Sequence, residues 1–299
     1  MIAASLLWIP FTLLAAAGQT ARNAMQRELT AVLGTVGATH VRFLFGFPFA
    51  LVFLAGVLMI TGLPLPAPPP MFWPWVLVGA GAQILATALM LATMNDRSFV
   101  VTIAYIKTEA VQAALFGLIF LGDKVTLPMA VAILMATAGV VAMSLKGRGA
   151  VEGGYKPVLL GLAAGAMFAV SAVGYRGAIL SLGLPNFVLA ATFTLTIGLV
   201  LQAALLTLYL AIRDRGVLVA IARAWRPSLF AGFMGATASQ FWFLAFALTS
   251  VANVRTLALV EVLFAQAISF FIFKQATTTR EALGMTLIVA GVALLIWVQ

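Results

Sequence analysis

The chain of 299 residues contains no cysteine, a single histidine and only eight acidic residues, and charged side chains make up 8% of it. Without cysteine there is no disulfide, no thiolate nucleophile and no cysteine-bound metal. The lone histidine, His40, supplies neither a metal cage nor a catalytic triad, and no HExxH or GxSxG pattern occurs. No catalytic site and no resident cofactor or metal is therefore expected. Basic residues are missing from the first ten positions too, so the opening apolar run is expected to remain as a helix rather than to be removed as a leader.

What fills the chain instead is apolar. Hydrophobic residues reach 64%, well above the roughly one half of ordinary soluble domains, so the first partner is a lipid bilayer. In that setting the net charge of +9 reads as loop residues that orient the protein, not as a nucleic-acid surface. Apolar runs long enough to cross fall at 3–24, 38–61, 72–94, 99–121 and 125–145, then at 157–180, 186–212, 228–250, 253–273 and 280–298. None shows the alternation of a membrane barrel, which leaves an all-α polytopic membrane protein with ten transmembrane helices. Between them, 63–70 (LPLPAPPP) reads as a stiff extended link, Asn95-Asp96-Arg97-Ser98 as a tight turn, and 146–156 as a flexible linker.

The chain also echoes itself. A shift of 152 positions carries Glu109 onto Glu261, Thr126 onto Thr278, Ala138-Gly139-Val140 onto Ala290-Gly291-Val292, and Trp73 onto Trp225, while Arg22 meets Arg176 at a shift of 154. Two units follow, 1–148 and 154–299. Five crossings each makes them inverted five-helix repeats, an architecture whose substrate site sits near the midplane. Loops after the odd-numbered helices, with the adjoining helix ends, hold twelve Lys and Arg, Arg22 among them, against Lys124 and Arg176 on the other side. That bias expects the odd loops in the cytoplasm and both termini outside.

Glu109 falls midway along the fourth apolar run. At about 100° per residue it shares one stripe with Thr102, Tyr105, Gln112 and Phe116, which is expected to face protein or water rather than lipid. Glu261 repeats it in the ninth run, beside the small Ala258 and Ala265. Two carboxylates in one cavity would suit proton coupling. Lys107 lies on a different face of its helix, and a lysine at helix centre costs roughly 2.5–3.5 kcal/mol unless it is solvated or paired. It is expected to meet another helix, a substrate carboxylate or a carboxylate partner. Gln83 with Thr87, and Gln240 with Trp242, are further candidates either for ligand contact or for helix-to-helix hydrogen bonds. Arg42 and Arg255 are expected to snorkel, and Trp8, Trp73 and Trp225 to anchor at the interfaces.

The segments Lys107-Thr108-Glu109-Ala110-Val111, Leu121-Gly122-Asp123 and Leu259-Val260-Glu261-Val262-Leu263 resemble the drug/metabolite transporter superfamily, specifically its EamA-like ten-helix members. Family members commonly carry a proline after this glutamate. Ala110 and Val262 stand there instead, so no proline bend is expected. The resemblance implies a secondary active transporter in the cell inner membrane, exporting a small metabolite such as an amino acid or a related zwitterionic or anionic compound. Such a carrier works by alternating access, as a monomer or homodimer, with protons as a coupling ion. A passive pore or lipid scramblase, and an intramembrane enzyme, are the alternatives.

Overall fold

The computed structural model describes residues 6–96, 102, 105–144, 156–263, 266 and 278–298, and among these all regular structure is helical. Helix α1 (Trp8–Leu44) is two arms joined at Gly34, whose φ of 66° and ψ of 175° leave the helical region. That conformation is essentially restricted to glycine. The Gln26 amide donates across the bend to the Ala38 carbonyl at 3.1 Å. A loop is expected between 24 and 38, but the helix continues to Gly34. The intervening Met25, Gln26, Arg27, Glu28 and Leu29 are good helix formers with no turn chemistry among them.

The second arm passes a break at Phe45-Gly46 into α2 (Phe47–Thr61), which stops at Gly62 in the left-handed conformation. The proline-rich 63–70 link is non-helical up to a turn at Pro70, as its composition requires. There follow α3 (Phe72–Asp96), α4 (Glu109–Leu121), α5 (Leu127–Ser144), α6 (Lys156–Ser181), α7 (Phe187–Arg213), α8 (Arg215–Arg223), α9 (Trp225–Leu248), α10 (Val251–Leu257) and α11 (Thr279–Trp297). Asn95 and Asp96 extend α3, while Arg97, Ser98 and the body of the 146–156 linker lie outside the described residues.

Helix α8 falls where a basic loop is expected. Three of its apolar residues share one side: Ile221 is buried and Val217 and Leu218 join it in a cluster with Leu29 and Leu33 of α1, while Val219 faces outward. The Asp214 carboxylate caps its start by accepting from the Gly216 amide at 3.0 Å. The result is a short amphipathic helix of the kind that lies along a membrane surface.

Six helical stretches among the described residues are long and apolar enough to cross a bilayer, and α4 and α5 are shorter apolar helices. Met59, Ile60, Leu127 and Ile212 point outward, while Arg22, Arg42, Lys107 and Arg255 are buried. This inversion of the soluble pattern, apolar outside and charge inside, marks a helical membrane protein whose solvent is lipid.

Helices from before and after the 145–155 segment pack on one another: α1 on α9, α2 on α7, α3 on α6, α4 on both α6 and α10, and α5 on α11. Small residues allow this. A Cβ on Gly139 would fall 2.6 Å from the Gly284 carbonyl oxygen, and one on Gly174 would fall 2.8 Å from the Gly79 nitrogen. Close backbone approach is how helices adhere where lipid offers no hydrophobic drive.

Candidate functional site

Regular helix is lost just before both repeated glutamates. Lys107 and Thr108 form a turn in which the amides of Thr108, Ala110 and Val111 each bond a carbonyl three residues back, and α4 starts at Glu109. On the other side, α10 tightens into a 3-10 turn, Ala258–Val260, and Glu261 follows it. Short 3-10 stretches inside a helix mark strain or a hinge. No proline is involved, so the absence of one did not keep these helices straight.

The two segments pack on each other and exchange charge crosswise. Lys107 Nζ lies 2.5 Å from Glu261 Oε1, and Arg255 Nη1 lies 3.4 Å from Glu109 Oε1. Arg255 also lies over the Trp242 ring at 4.6 Å and the Phe246 ring at 5.4 Å. All four charged groups are buried. In so poor a dielectric, unpaired charges would be very costly, and the cross-pairing offsets that cost.

Helix α1 supplies a third wall. Gln19, Arg22 and Asn23 line one small cavity with Lys107, Glu109, Arg255 and Glu261. Its volume is about 10 Å³, close to what one water requires. Arg22 donates to Asn23 Oδ1 at 2.7 Å, while its Nε and Nη1, both buried, have no hydrogen-bond partner. Gln19 accepts from Trp242 Nε1 at 3.0 Å, so the ring under Arg255 is itself held by the same helix.

A second cavity, also about 10 Å³, is lined by Arg42, Gln83, Tyr175, Gln202 and Ser239 among others. Arg42 donates to Thr87 Oγ1 at 3.2 Å. With its amide oriented to suit both neighbours, Gln83 donates to Ser171 Oγ at 2.8 Å and accepts from Arg42 Nη1 and Nη2 at 3.0 and 3.1 Å. Arg22 and Arg42 both run along Gly235 of α9, where a Cβ would come within 3.3 Å of Arg22 Cδ and 3.5 Å of Arg42 Cγ.

Of the residues singled out from the sequence, Glu109, Glu261 and Lys107 line the first cavity and Gln83 the second. Trp242 joins the first through Arg255 and Gln19. Tyr105 packs instead against Gly161 of α6, and Gln112 points its Oε1 toward Gly165 of the same helix. Gln240 donates to Thr192 Oγ1 at 2.7 Å, a bond between α9 and α7. Residues 264 and 265, including the small Ala265 beside Glu261, lie outside the described residues.

Several expectations are corrected. Arg22 is not a loop residue: it sits 1% exposed in the middle of the bundle. Arg42 and Arg255 do not snorkel, being 5% exposed and engaged with interior groups. Trp8 is buried rather than interfacial, whereas Trp73 and Trp225 are about half exposed at the starts of α3 and α9. Arg176 shares no environment with Arg22. It reaches Asp123 at 3.5 Å and donates to the carbonyls of Phe246 and Thr249. His40 bonds Thr207 at 3.0 Å and ties α1 to α7. Gln19, Arg22 and Asn23 share one face of the first apolar run and Gln26 continues it just past the end of that run, an i, i+3, i+4, i+7 polar stripe that marks this wall.

No family model matches the chain, and no curated protein is similar to it in sequence. Its fold is shared with a protein of known crystal structure, at 19% identity and a TM-score of 0.70, over 99% of this chain and 96% of that one. At that identity the likeness is one of fold alone.

Proposed function

We propose that the protein is a secondary active transporter of the EamA-like, drug/metabolite type, with ten crossings in two inverted five-helix repeats, moving a small metabolite through the Lys107, Glu109, Arg255 and Glu261 cluster. The observation that carries this reading is the cross-paired glutamates. Glu109 and Glu261, 152 positions apart, line one buried cavity, each beside a break in its helix. Discontinuous helices and ionisable groups in the interior are what carriers of inverted-repeat architecture use for substrate and ion sites.

Two further facts support the repeat. The helix pairs that pack together map onto one another when the first five crossings are exchanged with the last five. Thr126 and Thr278 both precede the helix that closes their unit, their hydroxyls 3.4 Å from the Met129 amide and 3.3 Å from the Glu281 amide. Glu109 and Glu261 are each salt-bridged rather than set against each other, so proton uptake in the cycle would follow the parting of an ion pair. Alternating access then means that the pairs open toward one side of the membrane at a time.

Counterflow in proteoliposomes tests the reading. A carrier takes up labelled substrate faster when unlabelled substrate fills the lumen, and a pore or scramblase does not. Export from cells is assayed by comparing the metabolites of the medium with and without the overexpressed protein. Glu261→Gln that still exchanged at the full rate under a pH gradient would remove that residue from coupling.

A further inference from the structure

Charge around the two cavities does not balance. Among the described residues, Arg22, Arg42, Lys107 and Arg255 are buried there against Glu109 and Glu261 alone, four cations to two carboxylates. The other buried carboxylate, Glu281, closes the capping box with Thr278 at the start of α11. Both site carboxylates are already engaged, by Lys107 and by Arg255. One carboxylate oxygen, Glu261 Oε2, remains without a partner, and the balance of charge stays positive.

The two surplus charges belong to Arg22 and Arg42. Arg22 offers two buried nitrogens, Nε and Nη1, with no acceptor, and Arg42 donates to the neutral acceptors Thr87 and Gln83 and lies over the Phe43 ring. Buried guanidinium groups call for an anion, and their planar array of donors suits carboxylate oxygens. Arg22 faces the first cavity and Arg42 the second, with Gly235 against both side chains. The positive charge is thus presented in two places rather than one.

We propose that this site recognises a small dicarboxylate, one carboxylate taken by Arg22 and the other by Arg42. The inference rests on the carrier reading and narrows it from metabolites in general to anions. It requires the two cavities to join as the bundle opens, since each now has room for about one water. The absence of a side chain at Gly235 leaves room for both arginine stems beside α9.

The test uses the full-length protein in detergent and three probes of one carbon skeleton: succinate, succinamate and succinamide, with two, one and no carboxylates. Thermal stabilisation should rank succinate above succinamate, with succinamide inert. Arg22→Gln and Arg42→Gln should each weaken succinate binding by about thirtyfold or more and bind succinamate as well as succinate. Arg22→Lys, which keeps the charge, should preserve the ranking at lower affinity. Where a glutamine variant does not fold, the wild-type ranking and Arg22→Lys carry the test. Stabilisation by succinamide equal to that by succinate, no stabilisation by any of the three, or inorganic phosphate matching succinate would overturn the proposal. Counterflow of labelled succinate separates the two readings. Binding without exchange removes the carrier and leaves the site, whereas exchange of succinamide as fast as succinate removes the dicarboxylate and leaves the carrier.

Discussion

Lys107 and Glu261 meet at 2.5 Å inside the bundle, each from a segment where regular helix has just given way. Both groups are buried, so each depends on the other. Removing one partner from such a pair costs roughly 3–5 kcal/mol, whereas replacing both by apolar residues is often neutral. Glu261→Leu should therefore lower thermal stability in detergent sharply, and Lys107→Met with Glu261→Leu should recover most of the loss. The double variant should remain inactive in counterflow. A double variant no more stable than the single one would show that the pair is not the unit.

Arg255 is held by a ring as well as by a carboxylate. Trp242→Leu takes away the face beneath its guanidinium and the partner of Gln19. A desolvated cation–π contact is worth about 2 kcal/mol, and unfolding midpoints should register a loss of at least that size. Trp242→Phe, which keeps a face but no N–H, should fall between the two.

At the end of α4, Asp123 and Arg176 form a clasp, with side chains 14% and 13% exposed, that also reaches the end of α9 through the Phe246 and Thr249 carbonyls. Asp123→Asn should let this end of the bundle part more often. Because the protein has no cysteine, Ser239→Cys gives one unique thiol in the second cavity. Its alkylation by a small maleimide should rise roughly fivefold in the Asp123→Asn background, the population change that about 1 kcal/mol produces. An unchanged rate would mean that the clasp does not control entry.

Glycines at helix crossings should separate from those facing open space. Gly139→Ala drives a methyl into the Gly284 carbonyl and the Ile288 amide, which are backbone and cannot step aside. Overpacking of this kind costs about 1–3 kcal/mol. Gly56→Ala meets nothing within 4 Å and should leave the unfolding midpoint unchanged or raise it slightly. Equal losses at both positions would contradict the α5–α11 contact.

The membrane class, the positions of most apolar helices and the pairing of Glu109 with Glu261 in one cavity were legible because they depend on composition and spacing. Lys107 was legible too, since an isolated lysine in an apolar run demands a partner. Arg22, Arg42 and Arg255 were misread for a common reason: each lies near the edge of an apolar run, and hydropathy cannot tell a helix that is ending from one that continues beside a polar interior. Gly34 shows the same limit. Its backbone does the work of a loop, and no cluster of polar residues announces it. Where a helix tightens ahead of a glutamate, neither proline nor glycine stands at the turn, and local sequence carries no trace of it.

The single-residue bend at Gly34 has a mechanical consequence. Only one residue separates the two arms of α1, and the Gln26 side chain is fastened to Ala38 beyond the corner, so a shift of one arm is passed on to the other. Whatever displaces the arm bearing Arg22 must carry Arg42 along as well, so the two guanidinium groups should travel as one stiff carriage.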